Sequence, residues 1–292
     1  MQGIIAAVPT PVDAAGRPLR EPFLDHARWA LENGCDGLNI LGSTGEATSL
    51  DAAARGTVME WAARDLDPSR LMVGTGTTSL AESIALTERA DDLGYGVALV
   101  LPPFYYTPPS EDGLVRWYEA LHAALGDRSI RIYFYNFPAM TGFPIPVNVM
   151  TRLHAQAPDR FAGIKDSSND LEYCRAVRAA LPDFAIFPSS ETSLASARVE
   201  GFAGCISATV NVTAPLCARI WRGEAPQSLI DTVSALRAVI SDHPLIPAVK
   251  HLIARRTKDP RWAGTLPPFT PLTQAEAASL DHFVPADAAA AA

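Results

Sequence analysis

Lysine is scarce in this chain, and one lysine ends an apolar run. Of 24 basic residues only three are lysine: Lys165, Lys250 and Lys258. Phe161-Ala162-Gly163-Ile164 leads into Lys165, and Asp166-Ser167-Ser168 follows. A basic residue that only keeps a surface wet can be arginine, and here it nearly always is. Arginine stays protonated, so a nucleophilic amine has to be lysine. Only a neutral amine attacks a carbonyl, and withdrawal from water favours the neutral form. The chemistry implied is nucleophilic attack on a carbonyl. The competing reading is an ion pair of Lys165 with Asp166 or Glu46, with no chemistry attached.

Other segments could surround such an amine. Gly42-Ser43-Thr44-Gly45-Glu46 offers backbone N–H groups to an anion, flanked by hydroxyls, or else a plain turn with a Ser/Thr helix cap. Arg131-Ile132-Tyr133-Phe134-Tyr135 ends in a phenol and runs into Asn136-Phe137-Pro138-Ala139-Met140-Thr141-Gly142. Such a phenol passes protons if a hydroxyl chain holds it, or it is structural. Tyr105 and Tyr106 sit in a stiff proline-bounded loop, 102–109, as a pocket wall, a subunit contact or simple packing. Gly74-Thr75-Gly76-Thr77-Thr78 has neither the GK[ST] of a P-loop nor a third glycine, since Ser79 stands there. It reads as a tight turn lining the site.

These segments must be held by regular elements. Apolar runs at Ile4–Val8, Gly37–Leu41, Leu71–Gly74, Val97–Leu101, Ile130–Tyr135, Phe161–Lys165, Phe184–Phe187 and Gly204–Ser207 read as strands buried on both faces. Amphipathic stretches near 20–33, 50–65, 79–93, 111–125, 147–157, 169–181, 191–199 and 213–222 alternate with them. Eight strand–helix units predict a (β/α)8 TIM barrel over 1–224. An open doubly wound sheet is the alternative. Helical patterns near 226–241, 245–257 and 273–284 predict a C-terminal appendage over 225–286, with a frayed tail at 287–292.

Composition narrows the function classes. The 292 residues carry a net charge of −8 and no basic cluster, which argues against nucleic acid. No apolar run nears the roughly 20 residues of a membrane span. The N-terminal MQGIIAAVPTP has no charged leader region, so a cytoplasmic protein is expected. Cys35, Cys174, Cys205 and Cys217 form no CxxC pair and read as free thiols in a reducing compartment. The six histidines show neither HxH nor HExxH, so no metal site is expected.

GSTGE at 42–46, YNFPAMTG at 135–142 and GIKDSS at 163–168 occur in order on three strand ends. With GCISATVNV at 204–212 and HPLIPAVK at 243–250, they make the whole chain resemble the dihydrodipicolinate synthase/N-acetylneuraminate lyase family of class I, Schiff-base aldolases. The resemblance implies a TIM barrel with C-terminal helices. It implies that Lys165 forms an imine with the C2 carbonyl of pyruvate or a longer 2-oxo acid, with no other cofactor. It implies that Tyr135 shuttles protons, that Thr44 relays them, and that Ser43 and Thr44 hold the carboxylate. Tyr106 would reach a neighbouring subunit's site, Ile206 would line the pyruvate pocket, and the assembly would be a homotetramer.

Departures from the family pattern bear on the substrate. Met140 stands where dihydrodipicolinate synthases carry an arginine for the carboxylate of aspartate semialdehyde, and a thioether cannot replace that pair. Ser167 puts a hydroxyl where sugar-acid members tend to have one, and Ser189 replaces the usual glycine and would narrow the pocket. FPAMTG resembles the corresponding segment of 2-keto-3-deoxygluconate aldolases. The expectation is an aldolase releasing pyruvate from a 2-keto-3-deoxy sugar acid. Alternatives are 4-hydroxy-tetrahydrodipicolinate synthase, a dehydratase or deaminase using the same imine, and a non-catalytic 2-oxo-acid binder.

Overall fold

A computed structural model describes residues 1–282 of the 292. The strands are β1 (Gly3–Ala7), β2 (Gly37–Ile40), β3 (Leu71–Gly74), β4 (Val97–Val100), β5 (Arg131–Asn136), β6 (Phe161–Asp166), β7 (Ala185–Pro188) and β8 (Gly204–Ser207). All pairings in the order β7-β6-β5-β4-β3-β2-β1-β8 are parallel. Ala203 N–H donates to Ile186 O at 2.8 Å, which brings β8 against β7 and nearly closes the barrel.

Parallel neighbours need crossovers. These are α1 (Arg20–Glu32), α2 (Ala52–Asp65), α3 (Leu80–Asp92), α4 (Glu111–Leu125), the single turn α5 (Pro138–Thr141) with α6 (Val147–Gln156), α7 (Leu171–Ala180) and α8 (Leu194–Glu200). The ring ends with α9 (Val210–Arg222), and α10 (Gln227–Ser241), α11 (Leu245–Thr257) and α12 (Gln274–Leu280) form the C-terminal part. The molecule is the TIM barrel with C-terminal helices that the alternation predicts. Capping follows side-chain chemistry: Asp51, Ser79, Ser110 and Asp170 each accept a backbone N–H at the start of α2, α3, α4 and α7.

Strand ends fall within one residue of their expected positions. The helix expected from 213 instead begins at Val210. Its polar residues face inward and break the apolar pattern: Asn211 Nδ2 donates to Ala7 O (2.8 Å) and Ala208 O (2.7 Å), and Thr213 Oγ1 to Glu191 Oε1 (3.2 Å). The last helix ends at Leu280, and positions 283–284 and the 287–292 tail lie outside the described residues.

Side-chain alternation splits the core in two. Residues such as Ile4, Leu38, Ile40, Val73, Phe134 and Ile164 pack outward against the helices. Ile5, Ala7, Met72, Leu99, Tyr133, Tyr135, Phe187 and Ile206 fill the barrel interior. Each large aliphatic side chain so buried contributes about 1.5–3 kcal/mol. A further cluster joins the start of α9 to α10, α11 and α12 through Val212, Ile240, Val249, Ile253, Trp262 and Leu280.

His26 ties this cluster to the barrel. Its Nδ1 faces Arg256 Nη2 at 2.8 Å, and its Nε2 faces Asn211 Oδ1 at 2.8 Å. A guanidinium only donates, so Nδ1 accepts and Nε2 carries the proton. Burial, and then the Arg256 charge, push the imidazole down to about 3. Below the unfolded imidazole value of ~6.5, the unfolded chain takes up a proton that folded His26 refuses. Stability should therefore fall as pH drops from about 7 to about 5. A His26→Gln variant should show a flatter decline in urea midpoint over that range. An unchanged decline would refute the assignment.

Candidate active site

The register of β5 and β6 sets Tyr135 beside Lys165, and Asn136 beside Asp166. Lys165 Nζ lies 3.3 Å from Tyr135 Oη and 4.4 Å from the centre of its ring. Tyr135 Oη lies 3.2 Å from Ser43 Oγ. Amine, phenol and hydroxyl thus form one line at the C-terminal mouth of the barrel. Lys165 is only 4% exposed. Among the described residues no carboxylate lies within ion-pair distance of it.

Both carboxylates of the competing reading are engaged elsewhere. Asp166 accepts from Asn136 Nδ2 at 2.7 Å and Ser168 Oγ at 2.8 Å. Burial pushes its carboxyl above the usual range, against the lowering effect of those bonds. Asn136 Oδ1 in turn accepts Ile145 N–H at 2.9 Å, and Asn136 O accepts Ser167 N–H at 2.8 Å. This bracket locks the ends of β5 and β6, one residue beyond Tyr135 and Lys165. Glu46 is fully buried against Lys250 Nζ, which also donates to Gly264 O at 2.7 Å.

The 42–46 loop is shaped by that same Glu46. Leu41 and Glu46 take left-handed φ values of 53° and 54° on either side of the turn. Gly45 N–H bonds Gly42 O and Glu46 N–H bonds Ser43 O, both at 3.0 Å. The N–H groups of Ser43 and Thr44 are left without acceptors among the described residues. Adjacent free donors of this kind hold a carboxylate.

Of the other expected residues, some gather here and some do not. The hydroxyl that reaches Tyr135 belongs to Ser43. Thr44 is buried next to it, with no side-chain hydrogen bond among the described residues. Ser167 and Ser189 follow Lys165 and Phe187 by two residues, each one position past the end of its strand. Both are half-buried, and their hydroxyls have no partner among the described residues. Ile206 is fully buried in the interior. Met140 is 69% exposed on α5, and Tyr106 is 85% exposed, edge-on to Tyr105 at 5.3 Å. Neither touches the Lys165 line of its own chain. The hydroxyls of the 74–78 turn face α3: Thr77 Oγ1 lies 3.2 Å from Ser83 Oγ, and Thr87 Oγ1 donates to Thr75 Oγ1 at 2.8 Å.

Sequence reasoning missed three supports. Asn136 was visible only as the neighbour of Tyr135. Lys250 was visible as one of three lysines, within HPLIPAVK. Arg237 carried no signal at all. From α10 it donates to buried Glu191 at 2.8 Å, a carboxylate that also accepts from Ser207 (2.7 Å), Thr209 and Thr213 (3.2 Å). This knot fixes the Ser189-Ser190 turn against the end of β8.

The chain matches the dihydrodipicolinate synthetase family over residues 1–286. A DapA-like lyase of Chloroflexus aurantiacus is 31% identical over 284 residues, covering 96% of this chain and 94% of that one. A 4-hydroxy-tetrahydrodipicolinate synthase of Rhodospirillum centenum is 34% identical over 222 residues, covering 75% and 74%. YagE, a prophage protein of the dihydrodipicolinic acid synthase family from Escherichia coli K12, solved with pyruvate, superposes with a TM-score of 0.86 at 25% identity, covering 96% of both chains. The chain belongs to the dihydrodipicolinate synthetase family and is a lyase. No helix among the described residues is long and apolar enough to cross a membrane.

Proposed function

We propose a pyruvate-dependent Schiff-base aldolase that reversibly cleaves a 2-keto-3-deoxy sugar acid to pyruvate and an aldehyde. The observation carrying the choice of substrate is the pair of unpartnered hydroxyls, Ser167 and Ser189, on the strand ends beside Lys165. They suit a chain of substrate hydroxyls. Met140, exposed and uncharged, supplies nothing for a second carboxylate.

In this reading the free N–H groups of Ser43 and Thr44 hold the substrate carboxylate. The Lys165 amine adds to C2, and the carbinolamine loses its hydroxyl as water on a proton given by Tyr135, leaving the iminium and a Tyr135 phenolate. Tyr135, with Ser43 behind it, takes the proton of the C4 hydroxyl. The C3–C4 bond breaks, its electrons enter the iminium as an enamine, and the aldehyde leaves. C3 is then protonated, and water releases pyruvate and the amine. The imine on Lys165 is the only cofactor the sequence needs. The exposed Tyr105–Tyr106 pair supports the homotetramer, with Tyr106 completing a neighbour's relay. The four buried thiols, Cys35, Cys174, Cys205 and Cys217, suit the cytoplasm.

A panel of 2-keto-3-deoxy-aldonates assayed for pyruvate release tests the reading, and silence across the panel would end it. The names of the relatives favour a second reading, 4-hydroxy-tetrahydrodipicolinate synthase. Condensation of pyruvate with aspartate semialdehyde would select it. A 2-oxo-semialdehyde product without pyruvate would select a dehydratase or deaminase. Tyr135→Phe keeps the ring under the amine and removes the proton carrier. Its kcat for pyruvate release should fall about 10²- to 10⁴-fold, with the melting temperature little changed. A kcat near that of the unaltered protein would remove Tyr135 from the mechanism.

A further inference from the structure

Asn39 is a fully buried amide in the middle of β2, and neither its Oδ1 nor its Nδ2 has a hydrogen-bond partner among the described residues. A buried polar group left alone costs about 1–3 kcal/mol, so it calls for a reason. Its direction is fixed. Leu38 and Ile40 pack outward, while the register partners of Asn39 are Ala7 and Met72, both in the barrel interior.

A (β/α)8 interior fills in layers, with alternate strands contributing to each. Strands β2, β4, β6 and β8 send in Asn39, Leu99, Lys165 and Ile206. Asn39 thus faces the reactive lysine's strand from across the barrel. Its Nδ2 also lies under the carboxylate loop: a Cβ placed on Gly42 would come within 2.6 Å of it. Glycine at 42 therefore leaves room for the amide against the loop that carries the free N–H groups of Ser43 and Thr44.

We infer that Asn39 is a substrate-positioning residue whose amide N–H binds the carboxylate of the 2-oxo acid from below. It adds a side-chain donor to the two backbone donors of the loop. The inference rests on the imine reading above and adds a residue that recognises the acid.

Borohydride trapping of pyruvate on Lys165, followed by mass spectrometry across a pyruvate titration, tests it. In Asn39→Leu the half-saturating pyruvate concentration should rise about ten- to a hundredfold, as for loss of a hydrogen bond to a charged group. The same rise should appear in the KM for sugar-acid cleavage, with kcat at saturation changed less than about threefold. Asn39→Asp keeps the shape and sets one carboxylate against another, so it should weaken capture further. It carries the test if the leucine variant does not fold. Folded variants with unaltered half-saturation would overturn the assignment alone. An unaltered protein that captures no pyruvate would overturn this inference and the imine reading together.

Discussion

Replacing Lys165 by alanine or methionine should abolish pyruvate release, with a drop on the order of 10⁵-fold, while the protein stays folded. The size follows from the role. With no amine there is no iminium, and the electrons of a breaking C3–C4 bond have nowhere to go. The stability half of the prediction follows from the surroundings. Breaking a buried ion pair strands a charge. Lys165 has no carboxylate partner among the described residues, so its removal strands none. Methionine keeps the volume while removing the amine. Its melting temperature should match or exceed that of the unaltered protein, whereas alanine leaves a gap. Borohydride with pyruvate should label the unaltered protein at Lys165 and leave both variants unlabelled. Turnover surviving in either variant would refute covalent catalysis at this position.

The fold and the lysine at the centre of the candidate site were legible for the same physical reason. Strands covered on both faces are apolar throughout, so Val97–Val100 or Ala185–Pro188 stand out between helical patterns. A lone lysine at the end of such a run is conspicuous. What escaped is the polar scaffolding. Whether Glu46 pairs with Lys165 or with Lys250 depends on which elements meet, and 204 residues separate Glu46 from the lysine it binds. Local pattern carries no such information. The start of α9 was hidden likewise, because Asn211 and Thr213 are inward polar residues whose partners lie on other elements. The proposed relay was half visible. The family resemblance gave the hydroxyl step to Thr44, whereas it is Ser43 Oγ that lies 3.2 Å from Tyr135 Oη. Asn39 went unnoticed because one polar residue in GLNIL gives no sign of which way it faces.

Glu46→Gln or Lys250→Met should each lower stability by about 3–5 kcal/mol, the cost of stranding one member of a buried pair. Both side chains are about 1% exposed or less, and burial pushes the Lys250 ammonium below its ordinary range even with Glu46 opposing that shift. In thermal unfolding the loss amounts to on the order of 10 °C for a chain of this size. The double variant, Glu46→Gln with Lys250→Met, should recover part of the loss, since no charge is then unpaired. It should not recover all of it. Gly264 O loses the ammonium donor, and Leu266 N–H exchanges a carboxylate acceptor at 2.6 Å for a neutral amide. Activity should respond too, because Glu46 anchors the loop that presents the Ser43 and Thr44 donors. KM for the 2-oxo acid should rise in the folded single variants, while Lys165 remains trappable at high pyruvate. If the losses of the two single variants simply added in the double, Glu46 and Lys250 would be energetically independent. The C-terminal helices would then have no part in shaping the carboxylate loop.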